Sequence, residues 1–77
     1  MSLKKPKRLV SDENKQAVSE QLCVVCGLWP VDVHHIRTRG SGGGDELSNL
    51  MALCRRHHVE IHQTGRETFM RKYKLLT

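Results

Sequence analysis

Long apolar runs are missing from this chain, and with them any segment that could act as a signal peptide or cross a membrane; a cytoplasmic setting is expected. Bulky side chains are scarce as well, since Trp29, Phe69 and Tyr73 are the whole aromatic complement. A chain of 77 residues with so little to bury has room for one domain but not for a large core. It should therefore need a metal or a partner as a staple. Cysteine is sparse too: Cys23, Cys26 and Cys54 form an odd set that cannot all pair as disulfides. With five histidines beside them and a reducing setting expected, metal ligation is the better use of these thiols. No internal repeat and no second domain are visible.

What the chain does have is positive charge. Thirteen Lys and Arg against eight Asp and Glu leave +5, with the excess in Lys4 to Arg8 and in Arg55 to Lys74. Such a balance suits a polyanionic partner, although an ordinary solvated surface explains charge alone equally well. Residues 1–10 have little to bury and read as a disordered basic arm, leaving 11–77 as the folded domain.

Ser11 followed by Asp12 and Glu13 predicts a helix start, with Ala17, Val18 and Leu22 as its apolar stripe and an end near Leu22. Cys23 to Pro30 reads as a tight knuckle in which Gly27 permits the turn after Cys26. Val31, Val33 and Ile36 mark residues 31–37 as a first strand, and 47–53 is a second short apolar run. The glycines between Gly40 and Gly44 read as a flexible hairpin connector, because they lack the Lys-Ser/Thr ending of a nucleotide-binding P-loop. Residues 54–63 have helical periodicity, which Gly65 ends. Thr64 with Glu67 predicts a capping box for a last helix bearing Phe69, Met70 and Tyr73.

Cys23-Val-Val-Cys26 and Cys54-Arg-Arg-His57 are two Cys-x-x-(Cys/His) pairs separated by 27 residues, the arrangement by which two knuckles clasp one tetrahedral zinc. More histidines are present than one zinc can use, and helix geometry sorts them. At about 100° per residue, His57 lies about 60° to one side of Cys54, while His58 and His62 lie about 40° and 80° to the other. His57 can thus share the zinc with Cys54, leaving His58 and His62 on one face for a second metal; His58 in place of His57 is the alternative fourth ligand. The His34-His35 doublet can supply a third ligand to a site that keeps positions open for phosphate and water.

In order and spacing, these residues resemble the HNH nuclease family. The match runs through Val33-His34-His35-Ile36, the glycine-rich loop, Asp45-Glu46-Leu47-Ser48-Asn49-Leu50, and Leu53-Cys54 to His57-His58 and His62. His62-Gln63-Thr64-Gly65 with Phe69 and Tyr73 looks like short phage-borne members. The resemblance implies a small α+β, ββα-metal domain with a structural zinc, an N-terminal helix and a short C-terminal helix. It implies an endonuclease that hydrolyses phosphodiester bonds in DNA, nicking it or cutting both strands. In that reading His35 is the general base, and His34, His58 and His62 hold a catalytic Mg²⁺, Mn²⁺ or other divalent cation. Asn49 holds the loop that bears the base, and Arg37, Arg39, Arg55 and Arg56 meet the nucleic acid. Phage, recombination or packaging machinery would be the larger partner.

Neighbours on a regular strand face opposite sides, so His34 and His35 share one site only where the strand is irregular. A non-catalytic, zinc-dependent nucleic-acid-binding module is the alternative function, and a pure zinc ribbon has no use for the extra histidines. A redox or metal-sensing role is a minor third.

Overall fold

A computed structural model of the protein describes residues 9–75, so most of the basic arm expected at 1–10 lies outside the described residues. The elements run α1 (Asp12–Ser19), β1 (Asp32–His35), β2 (Leu50–Leu53), α2 (Arg55–Thr64) and α3 (Arg66–Lys72), with short 3₁₀ turns at Arg39–Ser41 and Leu47–Asn49. This is a small α+β fold: two antiparallel strands and three helices. Among the described residues no helix is long and apolar enough to cross a membrane.

α1 begins where Ser11 predicts it. The Ser11 hydroxyl accepts the Asn14 N–H at 3.0 Å, satisfying a donor that the first helical turn leaves unpaired. The helix stops at Ser19 rather than near Leu22, and of the expected apolar stripe only Val18 is buried. Leu22 is exposed, because the chain must leave the helix to form the knuckle. There, Cys23 donates its N–H to the Leu28 carbonyl and Gly27 donates to the Cys23 carbonyl, with Gly27 at φ +74°. That conformation favours glycine. Val24 donates to the Ala52 carbonyl at 3.0 Å, which docks the knuckle against β2.

β1 and β2 pair as Asp32 with Leu53, Val33 with Ala52, His34 with Met51 and His35 with Leu50. Both strands are shorter than the apolar runs suggest. Residues 47–49 form a 3₁₀ turn instead of strand, and beyond His35 the chain bends to meet Asn49. Every residue of β2 is buried, which no half-exposed strand would allow. Met51 and Leu53 join Cys23, Cys54, Ile61 and Phe69 in one cluster, while Leu50 and Ala52 join Val18 in another. Alternate side chains thus serve opposite faces of the sheet, α2 and α3 covering one and α1 the other.

Gly65, at φ +90°, ends α2 and starts α3. The capping box expected from Thr64 and Glu67 is absent: no side chain caps α3, and Thr64 instead donates its hydroxyl to the Glu60 carbonyl within α2. The tie between the two helices lies elsewhere. The Tyr73 hydroxyl donates to Glu60 at 2.7 Å and Lys72 pairs with the same carboxylate at 2.9 Å, while Phe69 is fully buried. Truncating such a phenylalanine typically costs about 3–5 kcal/mol, a large share of the stability of a domain this small.

Candidate metal centres and the paired histidine

Four side chains from the knuckle and the start of α2 converge. Cys23, Cys26, Cys54 and His57 each bring one ligand atom within 4.8 Å of all the others. Cys26 and Cys54 sulfurs stand 3.7 Å apart, and His57 Nδ1 is 3.2 Å from Cys54 Sγ and 3.7 Å from Cys23 Sγ. Around a tetrahedral zinc with bonds of about 2.3 Å to sulfur and about 2.05 Å to nitrogen, these edges come to about 3.8 and 3.6 Å. The three free thiols and the imidazole therefore fit a metal such as zinc. Burial alone would raise the Cys23 thiol. Hydrogen bonds from the Cys54, Cys26 and Val25 backbone and from the Cys26 side chain outweigh it and lower the pKa from 9.0 to about 6, which favours the ligating thiolate.

The second cluster lies on the same face of the sheet, farther along α2. His34, His58 and His62 bring their ligand atoms within 4.8 Å of one another, and His58 Nε2 is 3.2 Å from His62 Nε2. Two imidazole nitrogens bound to one cation at about 2.1 Å stand about 3.0–3.4 Å apart for ligation between right-angled and tetrahedral. His34 is buried, and that burial, helped by His58, His62 and His35, lowers its pKa from 6.5 to about 4. It is neutral at physiological pH, the state in which imidazole binds metal. Asp32, two residues earlier on β1, completes the arrangement: its Oδ2 lies 2.9 Å from His58 Nδ1 and its Oδ1 3.3 Å from Arg55. A carboxylate on Nδ1 fixes the proton there and leaves the Nε2 lone pair facing His62.

α2 thus divides its histidines: His57 joins the thiols, whereas His58 joins His34 and His62. The strand divides the doublet. His35 is the last residue of β1, where the chain bends toward Asn49: His34 projects toward α2, and His35, whose charge also acts on His34, is not itself a member of the three-histidine cluster. Instead His35 Nε2 lies 2.7 Å from Oδ1 of Asp45, a buried carboxylate that sequence reasoning quoted within a motif without assigning it a role.

Asn49 binds both ends of the glycine-rich loop. It accepts the Arg37 N–H at 2.8 Å and donates to the Arg37 carbonyl at 3.1 Å and the Gly44 carbonyl at 2.7 Å. Contrary to the expected flexible connector, this loop is packed: Gly43 and Gly44 are buried, and a Cβ on Gly43 would collide with the Arg37 carbonyl. Arg37, Arg55 and Arg56 are exposed. Arg37 donates its Nε–H to the Ser41 carbonyl at 2.8 Å and lines, with Arg66, an open groove of about 770 Å³ between the loop and the start of α3. Arg39 lies in the 3₁₀ turn at Arg39–Ser41.

Comparison with known proteins places this arrangement. The chain is 38% identical over 76 residues to "Uncharacterized protein YdfU" of Escherichia coli strain K12, covering 95% of this chain and 22% of that protein. It therefore spans about a fifth of that relative's length. A family model described as "Putative HNHc nuclease" matches residues 2–77. With nearly its whole length matched and its Cys and His side chains gathered in two metal-sized clusters, the chain belongs to the HNH nuclease family.

Proposed function

We propose that the chain is a metal-dependent endonuclease that hydrolyses phosphodiester bonds in DNA, with His35 as general base. The observation that carries this reading is the second cluster: His34, His58 and His62 converge at a partly exposed position, separate from the Cys₃His group. A structural zinc explains Cys23, Cys26, Cys54 and His57, but leaves three imidazoles gathered for another purpose. Three imidazole nitrogens suit a divalent transition-metal ion, Mn²⁺ better than the oxygen-seeking Mg²⁺, with positions left for phosphate oxygen and water. Such a cation, when bound, supplies Lewis acidity to the phosphate and to the leaving 3′ oxygen.

The chain's own residues supply the rest. His35 takes a proton from the attacking water, a task suited to imidazole near neutral pH. Asn49 holds the loop that follows His35 closed. Arg37, Arg39, Arg55 and Arg56 offer guanidinium groups to phosphates along the strand, which fixes orientation without reading sequence. Targeting by a larger phage, recombination or packaging assembly fits the small size.

The test is nicking of supercoiled plasmid by the purified chain with Mg²⁺ or Mn²⁺. Activity in the parent and its loss by at least about a hundredfold in His35→Ala is expected. A non-catalytic DNA-binding module would instead bind in a salt-sensitive way, cut nothing, and ignore the substitution.

A further inference from the structure

Asp45 sits under the glycine-rich loop, buried to 2% exposure, and is held from several sides. Its Oδ2 accepts the Ser11 N–H at 2.8 Å and faces Lys15 Nζ at 3.7 Å. Its backbone N–H donates to the Leu9 carbonyl at 2.8 Å, and its carbonyl accepts from the Asn14 side chain at 2.9 Å. The carboxylate therefore cannot turn away from His35, whose Nε2 lies 2.7 Å from Oδ1. An N–H donor and an ammonium at Oδ2 both favour the charged carboxylate. An ionised carboxylate only accepts, so the imidazole nitrogen facing it carries the proton. In a neutral ring the lone pair then belongs to Nδ1, for which no hydrogen-bond partner is found among the described residues. The His35 side chain is 18% exposed, enough for a water to reach it.

We infer that Asp45 is the positioning residue for the base, fixing His35 as the Nε2–H tautomer so that Nδ1 is the atom that receives the proton. This deepens the assignment of His35 as base and rests on it. As the water oxygen forms its bond to phosphorus and the bond to the leaving sugar oxygen breaks, the water proton passes to Nδ1. The imidazolium so formed lies against the Asp45 carboxylate, which stabilises it without taking the proton. The leaving oxygen acquires its own proton from solvent.

The experiment combines the tautomer with the kinetics on the full chain. Long-range ¹H–¹⁵N correlation of the His35 ring in the parent should show the proton on Nε2. In Asp45→Asn the amide oxygen retains the Ser11 N–H, so its NH₂ faces His35 and forces the proton onto Nδ1. The ring spectrum should invert, and plasmid nicking should show kcat lowered about 10²- to 10⁴-fold with KM changed less than about threefold, from the usual contribution of a general base up to the cost of a wrong tautomer. Asp45→Ala leaves both tautomers available and should lose less activity than Asp45→Asn. A merely structural Asp45 predicts the reverse order, since the isosteric amide disturbs the loop least.

A parent ring protonated on Nδ1, an Asp45→Asn protein as active as the parent, or alanine more damaging than asparagine with an unchanged tautomer would each overturn the proposal. If neither variant folds, the parent spectrum decides alone. Nicking that survives His35→Ala removes the base assignment and this inference with it; loss in His35→Ala with full activity in Asp45→Asn removes only the role of Asp45.

Discussion

Asp32 Oδ2 stands 2.9 Å from Nδ1 of His58, a contact that joins β1 to α2 across 26 residues of sequence. Because Arg55 holds the other carboxylate oxygen at 3.3 Å, the pair sets both the proton and the plane of the imidazole. Replacing Asp32 by Asn removes the charge and, with the amide oxygen held by Arg55, turns an NH₂ donor toward His58 while preserving shape. Affinity for the divalent cation at the three-histidine cluster should drop about 10–100-fold with the fold intact. Titrating nicking activity and Mn²⁺ binding against metal concentration checks this, and an unchanged midpoint would remove the role assigned to Asp32.

The two clusters should also separate by their response to metal removal. Structural zinc in small domains contributes about 10–16 kcal/mol of apparent binding energy, more than a core of this size can replace. A strong chelator should unfold the chain, seen as lost helical circular dichroism, and zinc should restore it. Cys54→Ser should behave like the chelated protein. His62→Ala should keep one tightly held zinc and its helical spectrum while losing nicking. A His62→Ala protein that releases its zinc would show that the clusters are one site.

Asn49 makes three hydrogen bonds to the ends of one loop, and alanine there makes none. Leaving a part-buried carbonyl such as that of Gly44 unsatisfied costs about 1–3 kcal/mol, so Asn49→Ala should lower the urea midpoint by a corresponding amount. Asn49→Asp keeps the acceptor for Arg37 N–H but loses both donors, and should lie no higher. A midpoint within error of the parent for both variants would mean that the loop holds itself.

Much of the arrangement was legible because it is local or periodic. The two Cys-x-x pairs announce their knuckles by spacing, and the rotation per residue of a helix separates His57 from His58 without any coordinates. Asp45 and Asp32 were not legible in the same way: each meets its histidine across a tertiary gap of 10 or 26 residues, and nothing in the residue type distinguishes a positioning carboxylate from a solvated one. The capping box at Thr64 failed because Gly65 turns the chain so sharply that the Thr64 hydroxyl faces back into α2. Leu22 misled for a related reason, since helical spacing continues past the point where the cysteines need the backbone elsewhere.

The sheet separates two cores of unequal size. Among the described residues, Met51, Leu53, Ile61 and Phe69 pack with the Cys23 and Cys54 thiols on the α2 side, whereas the α1 side has Val18, Leu50 and Ala52. Breathing motions start where least is buried, so amide protons of α1 should exchange with solvent sooner than those of α2. Asp45 is anchored to the N-terminal end of α1 through Ser11 and Asn14. Each transient detachment of that helix should therefore slacken the support of His35 while His34, His58 and His62 keep their pose, so that order around the His35–Asp45 pair is set by the softer half of the molecule.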